Sequence, residues 1–329
     1  MISKIAQLCT VALSFICTAH AEEHLSLPAP FLNADGSKPA GQENRLVFLL
    51  PSSEDAVVLY PRRRQDGSKD LNDVIKVQVE LSRHVKPSIL SQAARDSADP
   101  GVFEYSYILA NGKGARKSAW HWLFEGVVDS NSATVIVPEN WAFAFPRVTT
   151  KELPLPDSVR EKTVLFRALN VFASDGSGSV RIALGVEAGT QLGGLKLRSR
   201  KRPGLLDVYV QGGMTIPAFP NEPPEQVADE LGEVITSLYN YQHTFCFGPR
   251  FDENSDALTI ARAFNVDLDR LISGGTLRAD SPFVSNGKAL LSSGIPGMQR
   301  IRAWAESANT TEERQFAAMF LLAMPETHN

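Results

Sequence analysis

The hydrophobic period of this chain changes at a proline-rich stretch, Pro217-Ala218-Phe219-Pro220-Asn221-Glu222-Pro223-Pro224. Upstream, apolar residues recur at every second position in short runs; downstream they recur at about every 3.6 positions. The upstream runs are 47–50, 57–60, 75–79, 134–137, 164–173, 180–186, 195–198 and 205–210. Between them, Phe103, Tyr105, Tyr107 and Leu109 alternate with Glu104, Ser106 and Ile108, and Trp120, Trp122 and Phe124 alternate with His121, Leu123 and Glu125. Asn111-Gly112, Asp175-Gly176-Ser177-Gly178 and Pro203-Gly204 supply turn chemistry in the breaks. Short alternating strands without interleaved helices predict antiparallel pairing in a sandwich or barrel, because a parallel sheet needs a helical crossover between strands.

Beyond the joint, Val227, Leu231, Val234, Ile235 and Leu238 make a helical stripe. A second helix is expected from near Ser255, carrying Leu258, Ala261, Phe264, Leu268, Leu271 and Ile272 and ending at Gly274-Gly275. A third is expected over 298–308, and a fourth opens on the capping-box pattern Thr310-x-x-Glu313. The expected architecture is mainly β plus α: an N-terminal antiparallel β-sandwich over 44–216, a linker over 217–224, and a C-terminal helical domain or cap over 225–329.

Residues 1–21 read as a signal peptide. Lys4 precedes an apolar stretch broken by Gln7, Thr10 and Ser14, too short to span a bilayer, and Ala19-His20-Ala21 fits the small-x-small cleavage rule. Residues 22–43 then form an N-terminal extension. Cleavage would remove Cys9 and Cys17, leaving Cys246 as a lone thiol and no internal disulfide. Cys246 stands between Phe245 and Phe247, which favours burial, and its H-x-x-C spacing with His243 lacks a second pair for a metal site. The expected location is periplasmic or extracellular.

Composition narrows the function classes. With 43% hydrophobic and 21% charged residues the chain is no disordered polymer, and a net charge of −4 argues against a nucleic-acid partner. No later stretch is long enough for a transmembrane span.

Two stretches resemble exported bacterial Ig-like β-sandwich domains that lack an assigned activity. The first runs from Phe103-Glu-Tyr-Ser-Tyr107 through Asn111 to Phe124. The second is Ala188-Gly189-Thr-Gln-Leu192-Gly-Gly194-Leu-Lys-Leu-Arg-Ser199, followed by Pro203-Gly204 and Tyr209-Val210-Gln-Gly212. The resemblance covers about half of the chain beyond the leader and implies fold and export. It carries over no catalytic residue. A third segment, 256–274, resembles the closing helices of a phage-repressor-type helix–turn–helix domain, but the preceding recognition helix is missing, and the segment reads as a packed helical corner with the same local solution.

Several constellations could carry function. Trp120, Trp122, Tyr105 and Tyr107 would form one aromatic patch, with His121 beside it, if their strands pair across Asn111-Gly112; the patch is then either sandwich core or a glycan-stacking platform. Lys196, Arg198, Arg200, Lys201 and Arg202 straddle an expected hairpin and read either as a solvated edge or as a polyanion site. Glu104 and Glu125 are the carboxylate pair to test for glycoside hydrolysis. No G-x-S-x-G, H-E-x-x-H, Walker A or dinucleotide fingerprint occurs, no cofactor or metal is implied, and Asp252-x-Asn254-x-Asp256 departs from a calcium loop at Ala257. The leading expectation is an exported non-enzymatic binding or cell-surface interaction protein, with a glycan or another exported protein as partner. A secreted glycan-directed hydrolase with its site at the domain junction and a structural partner in an exported complex are the alternatives.

Overall fold

The computed structural model describes residues 47–51, 55–125, 134–144, 163–168, 170–174, 179–183, 185–213, 225–237, 241–292, 294 and 297–325. Residues 1–46, on which the expected signal peptide and N-terminal extension fall, lie outside them, as does the whole of the proline-rich joint 217–224. The chain divides into two compact units, Met1–Val79 with Ile216–Ile235 and Glu80–Thr215 with Thr236–Asn329.

In the first unit, β1 (Phe48–Pro51), β2 (Ala56–Arg63) and β3 (Lys69–Val79) pair in that order as an antiparallel sheet. Helix α1 (Glu225–Ser237) buries Val227, Leu231 and Val234, and its Glu230 accepts a 3.1 Å hydrogen bond from the Val47 amide.

The second unit holds β4 (Pro87–Arg95), β5 (Phe103–Asn111), β6 (Ala119–Glu125), β7 (Thr134–Ile136), β8 (Trp141–Ala144), β9 (Thr163–Ala168), β10 (Asn170–Ser174), β11 (Ser179–Ala183), β12 (Thr190–Ser199), β13 (Arg202–Gly212) and β14 (Gln242–Phe251). It also holds helices α2 (Ala257–Ser273), α3 (Pro282–Ser292), α4 (Met298–Glu306) and α5 (Thr311–Ala323). Among the described residues the strands form a four-stranded sheet ordered β4-β5-β12-β7, a five-stranded sheet ordered β14-β13-β6-β9-β8 and the pair β10-β11. All pairings between these strands are antiparallel.

One apolar core takes the inward rows of both larger sheets. Phe103, Tyr105, Tyr107 and Leu109 of β5 and Leu195 and Leu197 of β12 join Trp122 and Phe124 of β6, Leu206, Val208 and Val210 of β13 and Cys246 of β14. The pairing of β5 with β6 that a single aromatic patch would require does not occur: β5 lies between β4 and β12, and β6 between β13 and β9. Their rings meet across the core instead, Tyr107 and Phe124 edge to face at 5.2 Å. Asn111 is no exposed turn residue. It is 1% exposed, accepting from the Lys86 amide (2.9 Å) and donating to the Lys117 and Val186 carbonyls (2.7 and 3.0 Å).

A second core sits on the other face of β13 and β14, where Leu205, Phe247 and Phe251 pack with Phe264 of α2, Phe283 of α3, Trp304 of α4 and Phe316 and Phe320 of α5. Phe264 is its hub, 5.0 Å from Phe320 and 5.3 Å from Phe316. Helix α2 is continuous through Asn265, so the helix–turn–helix resemblance ends there. It is capped by Asp256, whose carboxylate accepts from the Thr259 amide at 2.9 Å. The Thr310–Glu313 capping box on α5 has both of its reciprocal bonds. Among the described residues no helix is long and apolar enough to cross a membrane.

Candidate functional site

The face of the five-stranded sheet turned away from the shared core carries an ordered set of polar residues. Along β13, Leu206, Val208 and Val210 enter that core, so Asp207, Tyr209 and Gln211 point to the opposite face. The register sets Gln211 beside His121 and His121 beside Arg167, making one row across β13, β6 and β9. The next row along is Tyr209, Leu123 and Leu165, in which both leucines are buried and Tyr209 packs against them with Tyr241. Neighbouring strands lie about 4.8 Å apart, so Gln211 and Arg167 flank His121 at short range.

Gln211 is 1% exposed, and its Oε1 is 2.6 Å from His121 Nδ1. With the amide oxygen facing the ring, the proton of that bond is carried on Nδ1. The amide Nε2 of Gln211 is buried and has no hydrogen-bond partner among the described residues, and neither does the buried Nε of the half-buried Arg167. No described carboxylate pairs with Arg167. Native proteins satisfy nearly all buried donors, so two unspent ones in the same row are unusual.

Nearer the helices, the same face carries a saturated network. Asp207 Oδ1 lies 2.6 Å from His243 Nε2, and Oδ2 accepts from Arg270 of α2. Arg270 also reaches Asp267 at 3.1 Å, and Asp267 is held by Arg250 at 2.5 Å. Arg270 lies over the Phe245 ring at 5.0 Å, and His243 meets the same ring edge to face at 4.6 Å. Burial pushes the Asp267 carboxyl up while Arg250 and Arg270 pull it back. Burial opposes the charge of Arg270, but the hydrogen bond and charge of Asp207 outweigh it and hold the guanidinium above its usual range. Burial raises the Tyr209 phenol, helped by Asp207 and Glu125, so it stays protonated. A His–Asp pair of this kind suits hydrolysis only beside a nucleophile. Here its neighbours are Tyr209, Phe245 and Arg270. Cys246 faces the other side of the sheet, and burial pushes its thiol well up. The network fastens α2 to β13 and β14.

The residues singled out from sequence fall elsewhere, except His121. Trp122, Tyr105 and Tyr107 are closed off in the shared core. Trp120 is half-buried and wedged between Gly185 and Gly213, where an added Cβ would overlap the indole. The four rings therefore do not form one solvent-facing platform. Glu104 and Glu125 belong to different sheets, and each sits on the face away from the shared core, so they do not converge on a substrate. Glu104 pairs with Lys196 at 2.8 Å.

The basic run is not a hairpin edge. β12 is interior to its sheet, between β5 and β7, and the chain passes at 200–201 from one sheet to the other. Its cations meet partners in turn. Arg198 pairs with Asp96; Arg200 pairs with Asp99 at 2.8 Å and lies 3.7 Å from Glu253; Lys201 lies 3.3 Å from Asp252. Arg202 donates to the Ala323 and Glu253 carbonyls at 3.2 and 3.3 Å. Among the described residues no group of His, Cys, Asp and Glu could hold a metal ion.

Sequence reasoning missed Gln211 and Arg167 altogether. The alternation of β13 and β9 places each on an outward row, but nothing local links them. No protein-family model, curated protein or solved structure matches the chain.

Proposed function

We propose that this is an exported binding protein, periplasmic or extracellular, whose two larger sheets form an Ig-like β-sandwich and whose ligand site is the Gln211–His121–Arg167 row. The observation that carries the reading is the pair of unspent buried donors, Gln211 Nε2 and Arg167 Nε, in one register row. A buried donor without a partner costs stability, and a chain keeps such a cost where a ligand supplies the missing acceptor. The shared core drawn from both sheets supports the sandwich, and the three-part pattern of residues 1–21 supports export. A binding role is favoured over hydrolysis because Glu104 and Glu125 are not brought together and the His243–Asp207 pair is tied to Arg270.

The stability of Arg167→Met tests the site. A row kept for a ligand loses nothing when a cation without a described carboxylate partner is replaced by an apolar side chain of similar length. A clear drop in the urea midpoint would assign Arg167 to the framework and remove the reading. Export is checked separately by N-terminal sequencing of the protein from the periplasm or medium, where the expected first residue is Glu22.

A further inference from the structure

We infer that the ligand of this row carries a carboxylate, held by Arg167, with a second acceptor taken up by the Gln211 amide; the inference rests on the binding role proposed above. The two residues offer donors and no free acceptor between them. Gln211 Oε1 is engaged by His121 Nδ1 at 2.6 Å, which turns Nε2 and its hydrogens away from the ring, while Arg167 presents a planar fork. Such a fork matches a carboxylate or a phosphate bidentately. Charge decides between them. Glu125 occupies the same face four residues beyond His121, and Asp207 lies four residues from Gln211 but is tied to Arg270. Among the described residues Arg167 is therefore a cation without a carboxylate partner, and Glu125 is the charge nearest along the sheet. A monoanion balances that cation, whereas a phosphate dianion adds a second negative charge toward Glu125.

The row also differs from the other buried orphans. Trp122 Nε1 lacks a partner too, but its ring is walled inside the apolar core, where no ligand reaches. Arg198 has an unpartnered Nε, but its guanidinium is already paired with Asp96. Arg167 is partly open to solvent beside a nine-tenths-buried amide, and Tyr209, Leu123 and Leu165 in the next row give an apolar wall. The arrangement fits a small acid whose body is less polar than its carboxylate, such as a sugar acid or a peptide C-terminus.

The test uses 15N-labelled full chain, following the Arg167 Nε–H and Gln211 side-chain amide signals during titration with sodium glucuronate, acetyl-dialanine, glucose and inorganic phosphate. Saturable shifts of both signals with glucuronate or with the acetylated dipeptide are expected, and the stronger of the two identifies the source of the acid. Glucose and phosphate should act at least about tenfold more weakly, and Arg167→Met should weaken the better acid by a similar factor, read on the Gln211 amide. If glucose shifts Gln211 as strongly as either acid, or if Arg167→Met leaves affinity unchanged, the carboxylate inference falls while the binding role stands. Phosphate binding more tightly than both acids overturns it in the same way. If none of the four moves either signal while the backbone spectrum stays native, the row is not a site for small polar ligands and both readings fall.

Discussion

The basic run from Lys196 to Arg202 and the row of Gln211, His121 and Arg167 make opposite use of polar side chains. In the run, five cations close in sequence each find a carboxylate or carbonyl supplied by a neighbouring strand, turn or helix end. In the row, three residues far apart in sequence are placed side by side by strand register, and two of them keep unspent donors. A conspicuous charge cluster in a sequence therefore reported structure here, and a scattered set reported the candidate site. The reason is that a local cluster tells nothing of what faces it, while function depends on donors left over after the fold has paired the rest.

The largest effect should come from the residue beside the row that faces the other way. Trp122 is fully buried next to His121, and Trp122→Ala should cost about 3–5 kcal/mol in urea denaturation. A cost below about 1 kcal/mol would mean that the ring is not core and that the two faces of β6 have been assigned the wrong way round. Asp267→Ala should follow at about 2–3 kcal/mol, because it strands Arg250 and Arg270 beside a wholly buried position, discounted for their partial exposure. A neutral result would show that the network by the helices is no more satisfied than the row.

The sharpest contrast is between two equivalent substitutions. Arg198→Met removes a partly exposed ion pair and should lose about 0.2–1 kcal/mol. Arg167→Met removes an unpartnered donor and should gain up to about 1 kcal/mol. Equal losses at both positions would erase the distinction. Acid should separate them as well. Backbone amides of Ala98 and Asp99, with Arg198, hold the Asp96 carboxyl below its usual range. That contribution is present above the unfolded carboxylate value and is lost as pH falls through the lower folded value, below about 4. Between pH 5 and 3 the gap in stability between the parent and Arg198→Met should therefore narrow, measured by urea midpoint at each pH.

Much of the local structure was readable from the chain. The capping box at Thr310 and Glu313, the glycine end of α2 and the inward alternation of β5 are set by neighbours a few residues away. Other elements were missed because their local signal is mixed. β14 holds Gly248 and Pro249 among its aromatics, and lies beyond the joint where the period had turned helical. α3 begins at Ser281-Pro282 and buries Phe283, Val284, Gly287, Leu290 and Leu291, a stripe weakened by its central glycine. That Pro-initiated stripe was the signal available. Of the candidate site, only His121 was legible, and it was picked out as the neighbour of a tryptophan that faces the other way.

By itself the sequence determined the periodicities, and with them strands before the joint and a helical region after it, because side-chain alternation is a property of consecutive residues. It also determined that Cys246 sits among apolar neighbours. Only the tertiary structure decided that β5 and β6 belong to different sheets, that the basic run is paired, and that residues 121, 167 and 211 share a row. Those outcomes depend on which strands pair and in what register, and that choice is set by burying whole faces at once rather than by any local stretch of chain.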